Sequence, residues 1–268
     1  MKTKASISPF ESAFLKLDRA HEHFEEAKLH IQAYLGSSPK PYKILYDYDT
    51  ETEDIVFRLY ERSSIPKRIP LIVGDAIHNL RSALDHVAYV ICFKKFWMAP
   101  ASKPQFPICE FESSVRSETL KVCKAGSSEF NYITSLNVKT EWYYKILWSL
   151  HRLDIHDKHN LLISTFFQNL STNELTITHP DSALDVPLVG EEKTARSSFY
   201  GRLLEDGDVI HRVPYTKIRM GEADTSPEFE IDVAFVEPKE VRGWGVSNFL
   251  LAAYSCVEDI VSEFEVMY

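Results

Sequence analysis

Apolar positions at helical spacing open the chain. Phe10, Phe14, Leu17, Phe24, Ile31 and Tyr34 lie on one face of a long helix. Ser8-Pro9-Phe10-Glu11 supplies a capping box with proline at the first helical position, and Gly36 sits where a C-cap belongs. Two short β-like runs follow, Tyr42–Tyr48 and Ile55–Tyr60, joined by the charged turn Asp49–Asp54. Pro66 and Pro70 are expected to break the chain before the next helix, which carries Asp75–His86 and ends near Trp97. After the proline-rich loop Pro100–Pro107, the pattern predicts a modest helix near Ser114–Ala125 that stops at Gly126. A long amphipathic helix follows from Lys139 to Ile163.

Beyond Ser164 the period shifts from helical towards alternation. Glu174–Thr178, Ser197–Leu203 and Phe229–Val236 read as strands, with a turn at Asp206-Gly207-Asp208. Helical spacing returns over Trp244–Val266, with Phe249, Ala253, Val257, Ile260 and Phe264 facing a core. This order predicts an α+β fold: a bundle of four to five helices with an N-terminal β-hairpin. An antiparallel β subdomain is inserted before the C-terminal helix. The expected division is a helical part over 1–164 with the hairpin at about 42–60, a β insertion over 165–240, and a closing helix over 241–268.

The second helix has an unusual polar face. Asp75, His78, Asn79, Arg81, Ser82, Asp85 and His86 fall within an arc of about 160° at about 100° per residue. Val73, Ile77, Leu80, Leu84, Val87 and Ile91 occupy the opposite arc as a core stripe. A merely solvated face carries Lys, Glu and Gln more often. His, Asp, Asn and Arg are the types that move protons, bind metals or hold phosphates. The helix Lys139–Ile163 repeats this composition with His151, Arg152, Asp154, His156, Asp157, Lys158 and His159. Asp154 and Lys158 form an i,i+4 pair. The two helices are expected to pack so that His78, Arg81, Asp85 or His86 meets His151 or His159.

Composition narrows the partners. Hydrophobic residues at 44% and charged residues at 26% are typical of a soluble globular domain. A net charge of −9 argues against a broad basic surface for duplex DNA, although Lys40, Lys43, Arg58, Arg62, Lys67 and Arg68 cluster locally. The N-terminus lacks an apolar signal region and no long apolar run exists, so a cytoplasmic chain without membrane spans is expected. Cys92, Cys109, Cys123 and Cys256 are scattered, without metal-binding spacing, and read as free thiols.

Arg81-Ser-Ala-Leu-Asp-His86 resembles the R-x4-H motif of the HEPN superfamily of helical proteins. The resemblance implies a metal-independent ribonuclease without a cofactor, a toxin or antiphage defence component. It implies a homodimer, RNA as substrate, and an antitoxin or defence partner. Carried over, it makes Arg81 and His86 catalytic, with Asp85 and His78 beside them. Asn79, Ser82, His151, Asp157, Lys158 and His159 are the supporting candidates. Ser82 departs from the Asn, Asp or His often found after the motif arginine. The chemistry suits these residues. A histidine near neutrality moves the 2′-hydroxyl proton, and a guanidinium holds the phosphorane oxygens.

Two other readings stay open. His78, Asp85, His86, His151, Asp154, His156, Asp157 and His159 include the ligand types of a metal-dependent phosphohydrolase, with His156-Asp157 as an adjacent His-Asp pair. Alternatively the polar stripe is a buried network in a non-catalytic binding module, with Arg81 paired to Asp85 and with Phe199 and Tyr200 touching a partner. A buried Arg81–Asp85 contact closed to solvent would favour this last reading.

Overall fold

The computed structural model describes residues 8–98, 103–138, 142–158, 164–169, 202–214 and 230–268. Helix α1 (Glu11–Leu35) begins after Ser8, whose hydroxyl accepts the Phe10 N–H at 3.2 Å and whose carbonyl accepts the Glu11 N–H at 3.1 Å. Those bonds satisfy donors that the first helical turn leaves without partners. Ala13, Leu17, Ala20, Phe24, Ala27, Ile31 and Tyr34 are buried along α1, spaced alternately by four and three. That is the seam of a coiled coil. The three alanines carry much of it, because small side chains let the neighbouring helix come close. Phe14, an expected core residue, is only partly buried. Gly36 ends the helix at φ −86°, so no left-handed cap forms.

Helix α2 (Arg68–Tyr89) starts earlier than expected. Pro70 does not break the chain; it lies in the first turn, where the missing N–H has no intrahelical partner to lose. Val73, Ile77, Leu80, Leu84 and Val87 are all buried. A π-helical turn, Val90–Lys95, extends α2 and closes with the Phe96 N–H on the Ile91 carbonyl at 3.0 Å. The helix expected near 114–125 forms but is shorter, and a second helix that the pattern does not predict follows Gly126. Helix α3 covers Glu112–Thr119 and α4 covers Ser128–Leu136. Gly126, at φ 77°, turns the chain between them, and the Ser127 hydroxyl caps α4 by accepting the Phe130 N–H at 3.1 Å. Helix α5 spans Trp142–Asp157; residues 139–141 and 159–163, the ends of the expected longer helix, lie outside the described residues. Helix α6 (Val246–Met267) buries Phe249, Ala253, Val257, Ile260 and Phe264, the expected stripe.

Strands β1 (Tyr42–Asp49) and β2 (Asp54–Glu61) form the expected antiparallel hairpin, in the register Tyr42↔Glu61 to Asp49↔Asp54. The remaining strands are β3 (Ser164–Asn169), β4 (Arg202–Leu203), β5 (Val209–Pro214) and β6 (Glu230–Phe235). They divide between two three-stranded sheets, ordered β1-β2-β5 and β4-β3-β6. The turn Asp206-Gly207-Asp208 joins them. Gly207 adopts φ 85°, its N–H reaches the Leu59 carbonyl at 2.7 Å, and Asp208 returns a carbonyl to the Leu59 N–H at 3.0 Å. Arg212 on β5 donates to Asp49 Oδ2 at 2.9 Å, which holds that carboxyl down at about 2. The expected strand Glu174–Thr178 and the aromatic pair Phe199 and Tyr200 lie outside the described residues.

Helices α1, α2, α5 and α6 build the core, and α2 touches each of the other three. Among the described residues no helix is long and apolar enough to cross a membrane. All four cysteines are free and buried. Burial pushes the Cys123 thiol up to about 11 and Cys256 to about 12, which keeps them protonated and inert as nucleophiles.

Trp244 anchors the end of the β6–α6 connection. It is 1% exposed, stacks on Trp142 at 5.7 Å and meets Phe249 edge-on at 5.5 Å. Trp244→Ala is expected to cost about 3–5 kcal/mol, measured by urea denaturation.

Candidate functional site

The candidate site lies where the polar face of α2 meets α5. Gly74 permits the approach: a Cβ added there would stand 2.5 Å from Asp157 Oδ1. One turn along α2, the His78 ring reaches Asp154 of α5, with Nδ1 at 3.0 Å from Oδ1. Lys158 donates to the other oxygen of Asp154 at 2.6 Å. A carboxylate only accepts, so Nδ1 of His78 is the donor. Asp154 has a 4% exposed side chain, whereas that of His78 is 55% exposed. The pair thus has a buried, doubly engaged carboxylate beneath a solvent-facing imidazole.

Deeper in the interface, Arg81 is buried at 5% exposure. Its Nη1 stands 2.7 Å from Asp85 Oδ1 as an ion pair without hydrogen-bond alignment, and its Nη2 donates to the Phe106 carbonyl at 3.1 Å. Asp85 in turn accepts the Phe106 N–H at 2.8 Å. Arg81 and Asp85 therefore clasp both backbone groups of Phe106 and pin the loop after the π-helical turn onto α2. Burial raises the Asp85 carboxyl against the opposing pull of Arg81 and the Phe106 N–H, and Asp154 adds repulsion.

His151 completes the meeting of the two helices. Burial lowers it to about 4, and the Arg81 charge pushes the same way, so the ring is neutral at pH 7. Its Nδ1 is buried without a hydrogen-bond partner among the described residues. Burial also raises Asp157, with Asp154 and Asp75 repelling its charge.

The structure thus brings together His78, Arg81, Asp85, His151, Asp157 and Lys158. It leaves others apart. His86 is partly buried and its side chain makes no hydrogen bond or ion pair among the described residues; the same holds for the side chain of Ser82. Asn79 is buried and structural, accepting from Lys16 of α1 at 3.1 Å and donating to the Asp75 carbonyl at 2.8 Å. His159 lies outside the described residues. His156 and Asp157 serve different neighbours: His156 faces Glu237 at 3.8 Å while Asp157 presses on Gly74. Among the described residues no group of three or more His, Cys, Asp or Glu is placed to hold a metal ion.

Sequence reasoning missed Lys16 and the Phe106 backbone, which arrive from distant segments and carry no local signal. It noted Asp154 as a helix pair with Lys158 and as a candidate metal ligand, and neither the i,i+4 spacing nor the residue type reveals the cross-helix bond to His78.

Two outcomes test this geometry. Arg81→Ala strands a mostly buried carboxylate and the Phe106 carbonyl, and is expected to cost about 2–3 kcal/mol in urea denaturation. Loss of a function with full retention of stability would instead make Arg81 a group held ready for a ligand. His151 binds its proton less tightly folded than unfolded. Its contribution to stability is complete above the ordinary value of 6.5 and is lost as pH falls towards about 4. Wild-type protein should therefore lose stability between pH 6.5 and pH 4, and His151→Gln should lose less over the same span, measured by denaturation midpoints.

No family model, no curated protein and no solved structure matches this chain.

Proposed function

We propose that this protein is a HEPN-like, metal-independent ribonuclease whose proton-transfer residue is His78. One observation carries the reading: an exposed imidazole held through Nδ1 by the buried carboxylate of Asp154. That bond fixes the tautomer and ring orientation, and it stabilises the imidazolium formed when Nε2 takes a proton. RNA is the substrate that such a group cleaves without a metal, because it carries its own nucleophile. Nε2 takes the 2′-hydroxyl proton, and the 2′-oxygen bonds to phosphorus. The bond to the 5′-oxygen breaks, and that oxygen takes a proton from water. The products are a 2′,3′-cyclic phosphate and a 5′-hydroxyl. Lys158, whose side chain is 52% exposed beside Asp154, neutralises the phosphate oxygens.

This assignment moves the motif roles. Buried Arg81 becomes a positioning residue, and His86 is two helical turns from His78, about 12 Å along the axis. The resemblance also carries a homodimer, in which a second copy brings His86 to the same strand, and an antitoxin or defence partner.

A second reading has its own observation. Arg81 is buried and clasps Phe106 with Asp85, as a structural network in a non-catalytic binding module would.

The test incubates wild-type protein, His78→Ala and His86→Ala with a mixed RNA pool in EDTA and identifies the fragment ends. Cyclic phosphate ends from wild type, reduced about 10²- to 10⁴-fold in His78→Ala and retained in His86→Ala, support the proposal. The opposite pattern of the two variants returns the role to His86. Cleavage that requires Mn²⁺ or Zn²⁺ assigns the site to a metal-dependent phosphohydrolase. No cleavage in either condition favours the binding module.

A further inference from the structure

The face of α2 that carries His78 does not end at the polar cluster. Tyr89 lies eleven residues on, within about 20° of His78 around the axis; Ser82 and Asp85 lie between them, the Asp85 carboxyl already taken up by Arg81 and the Phe106 N–H. Tyr89 is 51% exposed, and its ring meets that of Phe93 at 4.8 Å. Phe93 sits in the π-helical turn Val90–Lys95. Such turns widen a helix locally and recur at functional sites. Here the turn keeps the Phe93 ring beside Tyr89 while Val90, Ile91 and Cys92 remain buried.

The end of the turn repeats the theme. Trp97 is 84% exposed and adopts φ 52°, a left-handed conformation that bulky residues rarely occupy. Cations flank this end. Lys94 and Lys124 are exposed and make no ion pair among the described residues, and Lys124 lies over the Phe96 ring at 5.7 Å. The His78 end, by contrast, carries Asp75, Asp154 and Asp157. The strip therefore offers rings and positive charge on one side of the proton-transfer residue.

We infer that Tyr89 and Phe93 form a base-stacking subsite for single-stranded RNA, on the same helix face as His78. This rests on the ribonuclease reading above. Aromatic rings stack on any unpaired base, and lysines hold the adjoining phosphates. Tyr89 lies about 16 Å from His78 along the helix, a span of about five stacked nucleotides. A strand held at Tyr89 therefore reaches His78 with a phosphate several nucleotides away. A duplex keeps its bases stacked on each other and cannot use the rings.

The probe is a short, fluorescein-labelled 2′-O-methyl oligoribonucleotide of mixed sequence. It keeps bases and phosphates but lacks the attacking hydroxyl. Binding is read by fluorescence anisotropy, and cleavage is read separately on unmodified RNA. Tyr89→Ala is expected to weaken binding about 5- to 150-fold, the loss of one stacked base. Tyr89→Phe keeps the ring and should bind like wild type, as should His78→Ala, which loses cleavage alone. Unchanged binding by Tyr89→Ala, while His78→Ala still abolishes cleavage, overturns the subsite and leaves the ribonuclease reading standing. Undiminished cleavage by His78→Ala, with binding still dependent on the Tyr89 ring, overturns the ribonuclease reading and leaves a nucleic-acid surface. Equal competition by a duplex of the same sequence overturns the stacking mode. Dissociation of a self-associated species by Tyr89→Ala, with oligonucleotide binding intact, assigns the surface to a second copy and overturns the subsite.

Discussion

Helix α2 is packed on α1, α5 and α6 at once, so part of its polar face is shut away from water. A charge placed there must find a partner or pay a large desolvation penalty. Each polar residue of α2 meets that constraint differently. Arg81 is buried and resolves it through Asp85 and the Phe106 carbonyl. Asn79 resolves it through Lys16 and its own helix. His78, at the rim, pairs inward with Asp154 and keeps its outer edge in water. The order of burial along the face separates Arg81 and Asn79, held inside the fold, from His78 at its rim.

The two histidines of the interface show the contrast. His151 feels the Arg81 charge, and burial holds it neutral with Nδ1 unpartnered among the described residues. A proton there would have to share a poorly solvated space with a guanidinium. His78 has a buried carboxylate on one nitrogen and solvent on the other side of a half-exposed ring. Asp154 makes the difference, and Lys158 keeps that carboxylate from being a lone buried charge. Carboxylates also crowd this junction. Asp85 and Asp157 are both raised by burial, and Asp154 repels each of them.

The β strands bind the chain's second half to its first. Strand β5 pairs with β2 of the N-terminal hairpin, while β6 pairs with β3 and leads into α6. Arg58 adds a side-chain bond to the Gly207 carbonyl at 3.2 Å. The segment 202–214 thus contributes to both sheets. Around α5, Arg152 faces Glu240 at 3.4 Å and His156 faces Glu237, so the β6–α6 connection is tied to the outer side of the helix whose inner side holds Asp154.

Local pattern determined much of this protein. The helical spacing of α1, α2 and α6, the hairpin β1–β2 and the turn at Gly207 were all legible, because each depends on residues a few positions apart. The polar composition of α2 and α5 marked both helices as unusual, and Asp154–Lys158 followed from spacing alone. Tertiary structure decided the rest. The alanines of α1 look unremarkable until α2 lies against them. Pro70 reads as a breaker until the helix start is seen to place it where no bond is lost. The alternation over Phe229–Val236 that predicts β6 says nothing about which sheet it joins, and β5, which pairs with the distant hairpin, is not among the strands the pattern predicts. Within the polar face, periodicity treats His78, Arg81 and His86 alike. Only packing against α5 and the loop at Phe106 makes one of them a rim residue, one a buried clasp and one without a side-chain partner among the described residues, because burial and pairing are set by segments far away in sequence.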